Sequence, residues 1–108
     1  MQDKPQLVIV YTTIDTYENA GILSQEILRK KEAACINILG PMYAQYLWQG
    51  QFQETTEYGM IIKTTQDKKI SLEQTIQQFH PYDCPCFLVL PVEETSNAFQ
   101  SFILESLS

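Results

Sequence analysis

Two strand-patterned segments of about a dozen residues each flank the run Trp48-Gln49-Gly50-Gln51-Phe52, and no other feature limits the fold as tightly. The first begins at Cys35 and carries apolar residues at Ile36, Ile38, Met42, Tyr43, Tyr46, Leu47 and Trp48. The second runs from Phe52 through Met60, Ile61 and Ile62 to Thr65. Strands in globular domains usually hold about five or six residues. A chain of 108 residues makes one domain, 1–108, whose own sheet cannot cover a hairpin of that length. The overhang exposes a strand edge, and an exposed edge calls for another chain to pair with it. Oligomerisation is therefore expected from the pattern alone. Gly40-Pro41 interrupts the first segment, because proline cannot donate to a ladder, and predicts a bulge or bend there.

The other elements follow from changes of hydrophobic period. Leu7, Val8, Ile9, Val10 and Tyr11 form a short apolar run rich in β-branched residues, which reads as a buried central strand. Asp15 or Thr16 can cap a helix, with Glu18 placed for a capping box behind Asp15. Its apolar positions are Ala20, Leu23, Ile27 and Ala34, and Arg29-Lys30-Lys31 sit at its negative end. A second helix spans residues 67–79, with Leu72, Ile76 and Phe79 on one side. Residues 86–90 are apolar throughout and read as another central strand. A last helix, capped by Thr95 or Ser96, carries a stripe of Phe99, Phe102, Ile103 and Leu107. The order is β, α, β, β, α, β, α. Its first six elements spell the α+β, ferredoxin-like βαββαβ sandwich, extended by one C-terminal helix.

That plan hosts many activities, so individual residues must choose among them. Seven basic and thirteen acidic residues give a net charge of -6, which disfavours nucleic acid and anionic lipid as partners. An RNA-binding version of the plan needs exposed aromatics in a basic motif on its central strands, and residues 57–63 are too apolar. A phosphate-binding version needs a glycine-rich loop and an arginine after the first strand. Here that loop holds Thr12 to Tyr17, and Arg29 lies at the far end of the helix. No apolar stretch approaches the ~20 residues of a membrane span. Met1 to Pro5 lack the charged-then-apolar layout of an export signal. Three cysteines, an odd count, do not suggest a secreted disulfide framework, so reduced thiols and a cytoplasmic location are expected.

Chemistry-bearing residues concentrate in Phe79-His80-Pro81-Tyr82-Asp83-Cys84-Pro85-Cys86. Two prolines make this connection stiff. His80, Asp83, Cys84 and Cys86 are competent ligands for a borderline or soft divalent ion. Cys-Pro-Cys is not the usual structural zinc spacing, and a histidine bonded to backbone beside packed thiols reads equally well. Any of the three cysteines could pair with His80 as a nucleophile, yet no elbow or oxyanion loop accompanies them, and Cys35 reads equally as a small buried apolar group, as free cysteines commonly are.

Several segments together resemble the CutA family, the divalent cation tolerance proteins. They are Ala33-Ala34-Cys35-Ile36-Asn37, Tyr46-x-Trp48-x-Gly50, Glu57 with Ile62-Lys63-Thr64, His80-Pro81-Tyr82 with Pro85, and Leu90-Pro91-Val92. The resemblance covers nearly the whole chain. It implies a cytoplasmic homotrimer whose long hairpins pair between subunits. It also implies a link to divalent metal tolerance, copper above all and zinc as the alternative, with no catalytic activity and no organic cofactor. The family's likeness to PII signalling proteins implies, as a second possibility, a regulatory module that holds a small ligand or an unidentified protein partner between subunits. Carried to this sequence, the metal residues are Cys35, His80, Glu57 and Cys86. Lys63, Tyr82 and Asp83 line the cleft, and Trp48 and Tyr46 sit at the trimer interface. Cys86 stands where many relatives carry glutamate, and Tyr11 where some carry cysteine. That exchange shifts a site toward softer ions.

Overall fold

The computed structural model describes residues 5–108, so the opening Met1 to Lys4, on which the export argument leans, lies outside the described residues. The elements are β1 (Leu7–Ile14), α1 (Tyr17–Arg29), β2 (Cys35–Trp48), β3 (Gln51–Thr65), α2 (Lys69–Phe79), β4 (Leu88–Pro91) and α3 (Asn97–Leu107), with one 3-10 turn at Gln66–Lys68. The sheet is antiparallel in the order β2-β3-β1-β4, the ferredoxin-like arrangement.

Side-chain alternation divides the sheet into two faces. On the first, Val8, Val10, Ile14, Met60 and Ile62 pack against Ala20, Leu23 and Ile27 of α1 and Leu72 and Ile76 of α2, all almost wholly buried. This is the core, and truncating Leu23 to Ala would cost about 2–5 kcal/mol. The second face carries Ile9, Tyr11, Cys35, Ile61, Lys63, Leu88 and Leu90 in register. α3 lies against it, with the Phe99 ring centroid 5.5 Å from Lys63 Nζ and Ile103 buried.

Local chemistry sets the helix ends. Thr16 caps α1 by accepting from the Asn19 amide at 3.0 Å, while Asp15 accepts from the Asn19 side chain at 2.9 Å. Asn19, not Glu18, thus answers the cap, and no capping box forms. α1 closes at Lys31, whose φ of 55° lets Lys31 N reach Leu28 O and Glu32 N reach Ile27 O, a Schellman closure built on lysine. Ala34 falls beyond this closure, so the helical spacing that seemed to include it is coincidental. Ser96 caps α3 through the Phe99 amide at 3.2 Å.

β4 corrects the sequence reading. It is an edge strand, not a central one, with Leu88 56% and Leu90 48% exposed. A continuous apolar run reports that both faces of a strand meet apolar surroundings. Phe87 and Val89 meet the helices, whereas Leu88 and Leu90 lie on the second face. The α3 stripe is likewise only partly covered: Phe99 is 39% and Phe102 45% exposed.

β2 and β3 project as an arm that draws the molecule out to 52 × 26 × 22 Å. Gln49 and Gly50 turn it with φ of 52° and 77°, the two positive values a two-residue hairpin turn needs. The expected bulge is present: Leu39 pairs with Gly59 and Met42 with Glu57, so β2 holds one extra residue. It contains the cis Gly40–Pro41 bond and Gly40 at φ 143°, where a Cβ would lie 2.8 Å from the Tyr58 ring. Odd positions of β2 before the bulge and even positions after it therefore share the second face.

Candidate functional site

That parity places Tyr46 and Trp48 on the face of β3 that carries Gln53 and Glu57. Against this side of the arm stands the connection after α2. Between them lies a groove of about 600 Å³, lined chiefly by Tyr46, Trp48, Glu57, Tyr82, Asp83 and Cys86, with Thr13, Ala44, Gln45, Gln53, Cys84 and Pro85 completing its walls.

Glu57 is 9% exposed and accepts a hydrogen bond from the Tyr82 hydroxyl at 3.2 Å. Burial, followed by the negative charge of Glu57, pushes the Tyr82 phenol well above its usual range. The Cys86 thiol is pushed up by the same two causes in the same order, and donates weakly to Tyr11 O at 3.7 Å. It is therefore a protonated thiol at neutral pH, and must lose that proton before it can ligate.

His80 holds the connection from beneath. Tyr82 N donates to His80 Nδ1 at 3.1 Å, so Nε2 carries the proton and donates to Thr13 O at 2.7 Å. Its ring packs against Tyr82 at 4.8 Å between centroids. With both nitrogens engaged and 8% of its surface exposed, His80 positions Tyr82. Ligating an ion would break one of these bonds.

Of the side chains singled out in the sequence as ligands or site residues, seven line the groove together: Glu57, Cys86, Cys84, Tyr82, Asp83, Trp48 and Tyr46. Cys35 and Lys63 pair with each other near the far end of the arm's base. Lys63 does share a face with Glu57, but six residues of strand separate them by roughly 20 Å. Among the described residues, no three His, Cys, Asp or Glu side chains gather to hold one ion. A resident metal chelated within one chain does not fit this arrangement. The lining residues Gln53 and Thr13 were not singled out. Counting back by twos from Glu57 along β3 would have found Gln53, whereas Thr13 comes from another strand and leaves no such signal.

Comparison with known proteins covers nearly the whole chain. The family model described as CutA1 divalent ion tolerance protein matches residues 8–106. The divalent-cation tolerance protein CutA of Archaeoglobus fulgidus is 32% identical over 98 residues, 91% of this chain and 95% of that protein. The crystal structure of the divalent ion tolerance protein CutA1 from Ehrlichia chaffeensis superposes with a TM-score of 0.92 at 29% identity, covering 98% of this chain and 99% of that one. A structure described as the periplasmic divalent cation tolerance protein CutA from Archaeoglobus fulgidus gives 0.91 at 30% identity, covering 94% and 99%.

Proposed function

The chain belongs to the CutA1 divalent ion tolerance family, and from that premise we propose that it acts in the response to divalent metal ions, copper foremost and zinc second, as a cytoplasmic homotrimer without enzymatic activity. The observation that carries the metal reading is the pairing of the Glu57 carboxylate and the Cys86 thiol in one groove, with Asp83 and Cys84 on the same wall. A carboxylate and a thiol suit an exchangeable ion, with water or another subunit filling the remaining positions. Binding competes with the proton on Cys86 and so tightens as pH rises.

The arm supports assembly. Leu47 is 72% and Phe52 61% exposed on the face of the arm turned away from the groove, and β2 forms an edge of the sheet along its whole length. Apolar surface on an open edge is stabilised by pairing with another copy. Three free cysteines favour a reducing compartment.

Native mass spectrometry of the reduced protein, with and without one equivalent of copper per chain, tests this reading. A species near three times 12.5 kDa that takes up copper in whole-number steps is expected, with uptake lost in Cys86→Ser. A trimer that takes up copper only in a broad, unsaturating ladder overturns the metal role, and a monomer overturns the assembly.

A second reading rests on the groove's size and walls. About 600 Å³ falls within the range of small-molecule sites, and three aromatic residues (Tyr46, Trp48 and Tyr82) line it. A PII-like module that reports a bound small ligand to a partner protein would use this groove.

A further inference from the structure

We propose that the groove between the arm and the connection after α2 binds a small organic ammonium ion. This rests on the small-ligand reading above and names the class of ligand. Among the described residues lining the groove, Glu57 and Asp83 are acidic and none is basic. Tyr46, Trp48 and Tyr82 also line it, and aromatic rings attract cations, in particular weakly hydrated, alkylated ammonium groups.

Ligands of other charge fit poorly. A carboxylate or phosphate would enter beside two like charges and meet no cation, since Lys63 lies six residues along β3 with its ammonium over the Phe99 ring at 5.5 Å. A neutral apolar ligand would strip water from Glu57, which is already 9% exposed and has Tyr82 as its hydroxyl donor, and would return no compensating charge. An organic cation answers both features, its charge toward Glu57 and its alkyl groups against the rings.

Trp48 is the chain's one tryptophan, so its emission reports on the groove directly. The intact, reduced protein is titrated with choline, with its uncharged isostere 3,3-dimethyl-1-butanol, and with acetate, at low salt and in the presence of a chelator. Saturable change with choline, and a response at least about tenfold weaker with the isostere, is expected. Glu57→Gln should weaken choline binding about tenfold, and Trp48→Leu, followed by calorimetry, by a similar factor. Asp83→Asn, on the exposed rim, provides a second charge variant that leaves the Glu57–Tyr82 bond in place. Saturable binding of acetate or the neutral isostere in preference to choline overturns the ammonium assignment while keeping the small-ligand reading. No saturable response to any of the three overturns the ammonium proposal, and a metabolite screen that then finds no ligand overturns the small-ligand reading too. Choline binding unchanged in both charge variants overturns the assignment to this groove.

Discussion

Tyr82 donates its hydroxyl to Glu57 Oε2 across 3.2 Å, joining the connection after α2 to the middle of β3. The bond makes the groove a two-walled feature with a fixed width. It also couples the ionisation of the residues on one wall to the charge on the other.

That coupling predicts alkaline lability. Tyr82 and Cys86 both hold their protons more tightly folded than unfolded, so above the ordinary thiol value of 9.0, and then the ordinary phenol value of 10.0, the unfolded chain binds fewer protons. Stability contributed by these groups is intact below those values and falls as pH rises through the window. Urea midpoints should be flat with respect to these two groups below about pH 8 and decline from about pH 9 upward. In Glu57→Gln, which removes the charge that both groups feel, the decline should be shallower. An equally steep decline in that variant would sink the coupling.

Gly40→Ala should destabilise the protein by on the order of 2–3 kcal/mol. The position combines φ 143° with a Cβ site 2.8 Å from the Tyr58 ring and 3.1 Å from Glu57 O. Gly21 is the control: nothing stands within 4 Å of a Cβ there, and it is helical, so Gly21→Ala should stabilise by about 0.5–1 kcal/mol. Chemical denaturation of the pair checks both signs.

Lys31→Gly should raise stability by about 0.5 kcal/mol. Lysine at φ 55° is strained where glycine is not, although the change forfeits the bond from Lys31 Nζ to Ser108 O at 2.8 Å. A second variant, Lys31→Met, keeps the backbone strain and loses that bond, so it should be less stable than wild type. If both variants fall together, the side-chain bond outweighs the backbone.

Ser71→Ala should cost about 1–3 kcal/mol and leave the groove untouched. Glu32 is 4% exposed; Ser71 donates to its Oε2, and Oε1 is buried with no partner among the described residues. Removing the serine hydroxyl leaves that carboxylate with no side-chain donor. Denaturation midpoints measure the loss, and unchanged Trp48 emission in the native state shows that it is local.

The sequence disclosed what is decided locally. Gly40-Pro41 announced a bulge, Gln49-Gly50 a tight turn, and the pairs Asp15-Thr16 and Thr95-Ser96 two caps, of which Thr16 and Ser96 serve, because each depends on neighbours within a few positions. The edge position of β4 was not legible, since Phe87 and Leu88 look equally apolar in the sequence whichever surface each meets. Half of the expected metal set lay in the same case. Glu57 and Cys86 do meet at one groove, but Cys35 pairs with Lys63 and His80 spends both nitrogens on backbone. Residue type identifies a competent ligand, whereas packing decides what its lone pairs are already doing.

The one-residue insertion at Gly40–Pro41 acts as a frame boundary along β2. Upstream, the alternating code is written for the helix-covered core; downstream, the same alternation is written in the opposite phase for the groove. Deleting one of the two boundary residues would put a single residue opposite Tyr58 and make the ladder regular: Tyr46 and Trp48 would keep the groove face opposite Gln53 and Gln51, and the bend would be lost. Lengthening the arm while Tyr46 and Trp48 keep their face takes two residues in each strand, because a single step reverses the alternation. Core and groove can therefore diverge in sequence separately, because the chain reads them in different frames.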